Sequence, residues 1–211
     1  MIFALLPVKN PQNAKQRLNG LLSAAQRETL ARLLYEHTLA ALREARGIDR
    51  FVVVTSDAGT AEHARRSGAI VFAEAEQRSH STSAEGACRR ALALGAATVL
   101  LVPIDVPLAT SAEFGRLAQA ARPGVVIVPS ADGTGTNALA RTPPDVIESR
   151  FGPGSFRAHL EQAQSRGIPV DILRLPRLMF DLDTPEDVAQ LLARAPQSSA
   201  ACFLQAACAS K

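Results

Sequence analysis

Three aspartates stand where a site for polyphosphate chemistry would need them. Asp105 follows an apolar run in Val102-Pro103-Ile104-Asp105-Val106-Pro107. The flanking prolines fix the backbone, so this carboxylate is held rigidly at a strand end. Asp181 and Asp183 sit in Phe180-Asp181-Leu182-Asp183. Side chains two residues apart in an extended segment point the same way, so these two can converge on one cation. Mg²⁺ takes oxygen ligands and is usually held by one or two carboxylates plus substrate phosphates. Two plainer uses compete: a structural turn aspartate at 105, and a favourable charge at a helix start for Asp183.

Cations lie at the other end of the chain. Residues 7–18 read PVKNPQNAKQRL, placing Lys9, Lys15 and Arg17 just after the first strand. A loop there can offer backbone N–H groups and positive charge to a polyphosphate, with lysine as a point charge and arginine as a fork. It matches neither the Walker A nor the G-x-G-x-x-G pattern. Two further loops are glycine-rich: Asp132-Gly133-Thr134-Gly135-Thr136, leading into an apolar strand, and Gly152-Pro153-Gly154-Ser155, opening a helix. Glycine lets backbone approach a ligand closely, and a helix start with Ser155 suits an anion. Turn geometry alone would also explain these glycines.

The elements that must position these residues alternate. Strands are expected at 2–8, 51–55, 69–73, 98–102, 125–128 and 137–141, with a last one at 170–175. Helices are expected at 23–45, 83–94 and 155–166, with two more opening near Thr110 and at Thr184-Pro185. Ser23 with Gln26 forms a capping box, and Leu30, Leu33, Leu34 and Leu42 share one face of that helix. This alternation predicts a single α/β domain: a Rossmann-like, mostly parallel sheet with helices on both faces. Ligands in such sheets bind beyond the carboxyl ends of the strands. The domain is expected over residues 1–195. Residues 196–211 read as a floppy tail or as an arm on a second copy, which would make a homodimer.

With 211 residues, 47% of them hydrophobic, the chain can bury one sizeable core. The net charge of +3 suits a small anionic substrate and is too weak for nucleic acid, and aromatics are only 4%. Cys88, Cys202 and Cys208 form no C-x-x-C pair. No apolar run is long enough for a membrane span, and the N-terminus lacks a signal peptide's basic segment, so a cytoplasmic protein is expected.

Taken together, PVK with AKQRL, PIDVP, DGTGTNAL, FGPGSFRAHL and DLDTPED resemble the 2-phospho-L-lactate guanylyltransferase family of coenzyme F-420 biosynthesis. That family lies within the GT-A-like nucleotidyltransferases, and the resemblance covers about residues 1–195. It implies transfer of GMP from the co-substrate GTP to 2-phospho-L-lactate, phosphoenolpyruvate or 3-phospho-D-glycerate, with release of pyrophosphate. The product would pass to a downstream transferase. By position, Asp105, Asp181 and Asp183 match the family's Mg²⁺ carboxylates, and Thr136, Gly152 and Ser155 match positions that hold the phosphorylated acid. Lys9 and Lys15 should face the nucleotide phosphates, with Lys9, Lys15 and Asp105 the catalytic set and Arg17 assisting. His159 follows the GPGS loop and could reach the acceptor, whereas His37 and His63 read as structural. The chain departs from the family at Ser83-Ala84-Glu85-Gly86, where Gly-Leu-Asn is common. Glu85 is therefore placed near the nucleotide, where a carboxylate can accept two N–H bonds from guanine. The main alternative is a related nucleotidyltransferase using another nucleotide, such as CTP, with a phosphonate or other phospho-acceptor. A GT-A glycosyltransferase and a non-catalytic nucleotide-binding module are further alternatives.

Overall fold

The computed structural model describes residues 1–76 and 79–209. Its strands are β1 (Ile2–Pro7), β2 (Arg50–Thr55), β3 (Ile70–Ala73), β4 (Thr98–Leu101), β5 (Gly124–Pro129), β6 (Thr136–Thr142) and β7 (Val170–Ile172). Its helices are α1 (Ala24–Arg43), α2 (Ala58–Arg66), α3 (His80–Ala93), α4 (Ser111–Ala120), α5 (Ser155–Ser165), α6 (Pro185–Arg194) and α7 (Ser199–Ala209). The strands form one sheet in the order β3-β2-β1-β4-β6-β5-β7. All pairings are parallel except those of β6 with β4 and β5. The exception has a simple cause. Parallel neighbours need a crossover of a dozen or more residues, and residues 130–135 leave room only for a hairpin. Ser130 closes that turn, accepting the Gly135 N–H on its Oγ at 2.7 Å. Much of the glycine there thus serves the turn, with Gly133 at φ +76°.

The central strands are buried on both faces, as their unbroken Val/Leu/Ile runs require. On one face Leu6, Leu100 and Val126 pack with Leu39 and Leu42 of α1 and Phe114 of α4. On the other, Leu5, Leu101 and Ile127 meet the alanine face of α3 and Ala163 of α5. The capping box at Ser23 and Gln26 forms as expected. Leu30, Leu34 and Leu42 are buried, while Leu33 is only partly so.

Two expectations need correction. Helix α3 begins three residues early, because Ser79 caps it by accepting the Thr82 N–H. Residues 79–83 offer serines at 79, 81 and 83, all competent caps, and local pattern does not choose between them. The segment from Pro196 is not a floppy tail. Ser199–Ala209 is a helix packed on α1 and α6, and Ala201 and Leu204 join Leu30, Leu34 and Leu191 in a third core cluster. Ala200, Ala201, Leu204 and Ala207 are buried within the chain itself. Ser210 and Lys211 lie outside the described residues.

Candidate active site

Strands β1 and β4 are parallel neighbours, with Leu5 opposite Leu101. Their carboxyl ends therefore open on the same spot, bringing the basic loop after β1 to Asp105 after β4. The 180–183 segment is stitched in by the Leu182 N–H, which donates to the Asp105 carbonyl at 2.9 Å. Leu182 points into the third core cluster. Asp181 and Asp183, on either side of it, are only partly buried.

Lys15 lies at the centre. Its Nζ donates to Asp105 Oδ2 at 3.2 Å and to Asp183 Oδ1 at 2.8 Å, and its side chain is only 8% exposed. Among the described residues it alone holds positive φ without being glycine, at +52°. Single turns of 3-10 helix at Pro11–Asn13 and Gln16–Leu18 flank it. Burial pulls the Lys15 ammonium down, but Asp105 and Asp183 outweigh it and hold the charge. The same attraction keeps Asp105 below its usual value against burial. Asp181 is raised, first by burial and then by the neighbouring Asp105 charge. It faces Asn137, whose Nδ2 donates to it at 3.3 Å. Arg17 is 72% exposed and 3.9 Å from Asp183, a pair worth little by itself.

Oxygen donors suit a hard divalent cation. Asp105 and Asp183 already converge on one positive centre, and Asp181 adds a third negative charge beside them. Of the three aspartates expected to hold metal, Asp105 and Asp183 face Lys15 and Asp181 turns to Asn137. Among the described residues no three acidic, His or Cys side chains stand in metal-holding geometry. Two carboxylates plus substrate phosphates would suffice, so the residues present fit the ion.

A cleft of about 440 Å³ lies over this centre, lined by Lys9, Lys15, Arg17, Asp105, Asp183 and His80. His80 is a residue that sequence reading missed, because α3 was expected to start after it. Burial drives its imidazole down to about 4, so it is neutral near pH 7. Its ring packs edge-on against Phe151 with centroids 4.7 Å apart.

Thr136 and Ser155, expected on the acceptor side, form a buried network with His159. Ser155 Oγ accepts the Thr136 N–H at 2.8 Å, and Thr136 Oγ1 lies 3.0 Å from His159 Nδ1. His159 Nε2 accepts the Arg150 N–H at 2.8 Å. In the neutral ring the proton therefore sits on Nδ1 and goes to Thr136. Burial takes His159 down to about 4. The first two amides of α5 are engaged, Ser155 with Gly152 and Phe156 with Thr134, so the helix start itself is less open to an anion than expected. Gly152 holds φ +127°. Thr136 is next to Asn137, which links this network to Asp181. His37 bonds the Ala109 carbonyl and His63 the Tyr35 hydroxyl.

The model of the guanylyl transferases like CofC matches residues 2–209. The chain belongs to that family. It is 41% identical over 92% of its length to phosphoenolpyruvate guanylyltransferase of Sphaerobacter thermophilus, covering 94% of that protein. It is 36% identical to 3-phospho-D-glycerate guanylyltransferase of Colwellia psychrerythraea, with 89% of each chain covered. Among solved structures it resembles a protein from Desulfovibrio desulfuricans described as a nucleotide-diphospho-sugar transferase, at TM-score 0.75 and 19% identity. That match covers 97% of this chain and 94% of the other.

In this guanylyltransferase-family enzyme Glu85 does not line the cleft, contrary to expectation. Its Oε1 accepts from Arg141 Nη1 and from the Ser149 N–H, both at 2.8 Å. Arg141 is fully buried and also contacts Cys88 Sγ and the Ile147 carbonyl. Burial would raise Glu85, but the Ser149 and Arg141 bonds outweigh it and lower it. A buried guanidinium needs a counter-charge, and Glu85 supplies it.

Proposed function

We propose that this enzyme transfers GMP from GTP to the phosphate of a small three-carbon acid, releasing pyrophosphate, as a step of coenzyme F-420 biosynthesis. The acceptor is phosphoenolpyruvate, 3-phospho-D-glycerate or 2-phospho-L-lactate. The observation that carries the reading is Lys15 between Asp105 and Asp183 at the shared carboxyl ends of β1 and β4. An acceptor phosphate oxygen attacks the α-phosphorus, a new P–O–P bond forms, and the bond to the β-phosphate oxygen breaks as pyrophosphate leaves. The acceptor phosphate is already anionic near neutral pH, so positioning and charge neutralisation matter more than a general base. Asp105 and Asp183, with Asp181 beside them, would hold Mg²⁺, which supplies neutralisation of the phosphate charge. Lys15 keeps the two carboxylates together, and Lys9 and Arg17 face the triphosphate and the departing pyrophosphate. Thr136, Gly152 and Ser155 hold the acid on the β6 side. The mixed diphosphate product is handed to a transferase that uses it as donor.

The test is pyrophosphate release with Mg²⁺, each of four nucleoside triphosphates and each of the three acids. GTP with one acid should release it, and Asp105→Asn should lower turnover by about 10²–10³-fold with the fold intact. Release by Asp105→Asn at the wild-type rate overturns the assignment.

A further inference from the structure

A small space of about 10 Å³ adjoins the cleft over Lys15, sharing Pro7, Lys9 and His80 with it and adding Ser56, Glu74 and Ser83. Beyond lies a cavity of about 210 Å³ that shares Glu74 and Ser83 and reaches Phe72 and Arg90. Arg90 covers the Phe72 ring at 4.1 Å. The three spaces run from the ends of β1 and β4 to the ends of β2 and β3.

Glu74 is the carboxylate on this path. Its backbone N–H extends the sheet by bonding the Thr55 carbonyl at 3.0 Å, which fixes it one residue past β3. Its Oε2 accepts from Ser83 Oγ at 2.9 Å, so one oxygen is oriented by α3. The residue is half-buried. We infer that Glu74 reads the guanine base, its carboxylate accepting the N1–H and the 2-amino N–H while Ser83 holds it in place. The inference rests on the guanylyltransferase reading and gives its base selectivity a residue.

Topology and charge support this choice. In the order β3-β2-β1-β4-β6 the cation-bearing centre over β1 and β4 separates two flanks. Thr136 begins β6 on one, and Glu74 follows β3 on the other. A phosphorylated acid carries charge that a carboxylate repels, so the β3 flank is the wrong side for it. Guanine presents two adjacent N–H donors on one edge, whereas cytosine and adenine each present a single amino group beside an acceptor nitrogen. One carboxylate can take both guanine donors at once. Glu85, tied to Arg141, is excluded from the task by its own partners.

Inosine triphosphate lacks only the 2-amino group. Its binding and that of GTP are to be compared by calorimetry in Mg²⁺, for the wild type and for Glu74→Gln, alongside pyrophosphate release. A hydrogen bond to a charged group is worth about 1.5–3 kcal/mol, so wild type should favour GTP over ITP by roughly tenfold or more. Glu74→Gln can still accept from Ser83, so its melting temperature should hold, while GTP affinity falls about tenfold and the preference narrows to within about threefold. Glu85→Gln should leave the preference unchanged. The inference is overturned if wild type binds no GTP, if it does not distinguish GTP from ITP, or if Glu74→Gln keeps the wild-type ratio. If wild type prefers GTP and Glu74→Gln loses that preference, yet no acid yields pyrophosphate, the transfer reading fails and the Glu74 assignment stands.

Discussion

Lys15 combines two unfavourable features that its neighbours offset. Its left-handed backbone costs on the order of 1 kcal/mol, and its ammonium is nearly removed from water. Two carboxylates within 3.2 Å hold the charge there. Lys15 is thus held in a fixed position by two carboxylates, a strained backbone persisting where its surroundings over-determine it. Glu85 shows the opposite use of an ion pair. Its partner Arg141 is fully buried, and removing the negative charge leaves a guanidinium with no counter-charge. Breaking a buried pair costs roughly 3–5 kcal/mol, and since Glu85 is partly exposed we expect about 2–3 for Glu85→Gln. Urea unfolding measures it, and a loss below 0.5 kcal/mol would show that Arg141 does not depend on Glu85.

At the scale of elements, the start of β6 and helix α5 are locked together by Ser155, Thr136 and His159. This lock needs a neutral imidazole. Because the folded pKa is about 4 and the ordinary one 6.5, His159 contributes its full share above pH 6.5. Below that the unfolded chain takes up a proton that the folded one refuses. Stability should therefore fall by about 1.4 kcal/mol per pH unit from this group as pH drops from 6.5 towards 4. A His159→Gln variant should lack that slope, so denaturant unfolding at several pH values reads the difference between the two proteins. Parallel curves would mean that His159 titrates alike folded and unfolded. Most strands and helices were legible beforehand, because period-2 and period-3.6 patterns are local properties. The start of α3 was not, since three serines compete as caps, and His80 was overlooked with it.

At the scale of the whole molecule, the third core cluster ties the chain's last helix to its first. Leu204 of α7 is fully buried against α1 and α6. Leu204→Ala should lower the unfolding free energy by about 2–5 kcal/mol while leaving turnover at 25 °C close to normal. A destabilisation under 1 kcal/mol would mean that α7 does not contribute to the core. The sheet order explains why distant residues meet. Asp105 and Asp183 are separated by 78 positions, yet the Leu182 N–H bond to the Asp105 carbonyl sets them side by side.

The sequence alone determined the α/β class, the strand-end aspartates, the basic loop and the family, because residue type, periodicity and motif spacing are written along the chain. Tertiary structure decided the rest. It aimed Asp181 at Asn137 and drew Lys15 between the other two aspartates. It gave Glu85 to Arg141 and set Glu74 in the cavities beside the cleft, and it folded residues 199–209 back onto α1. Each of these depends on which side chains pack together across the sheet, and a buried charge goes to whatever opposite partner the fold brings within reach.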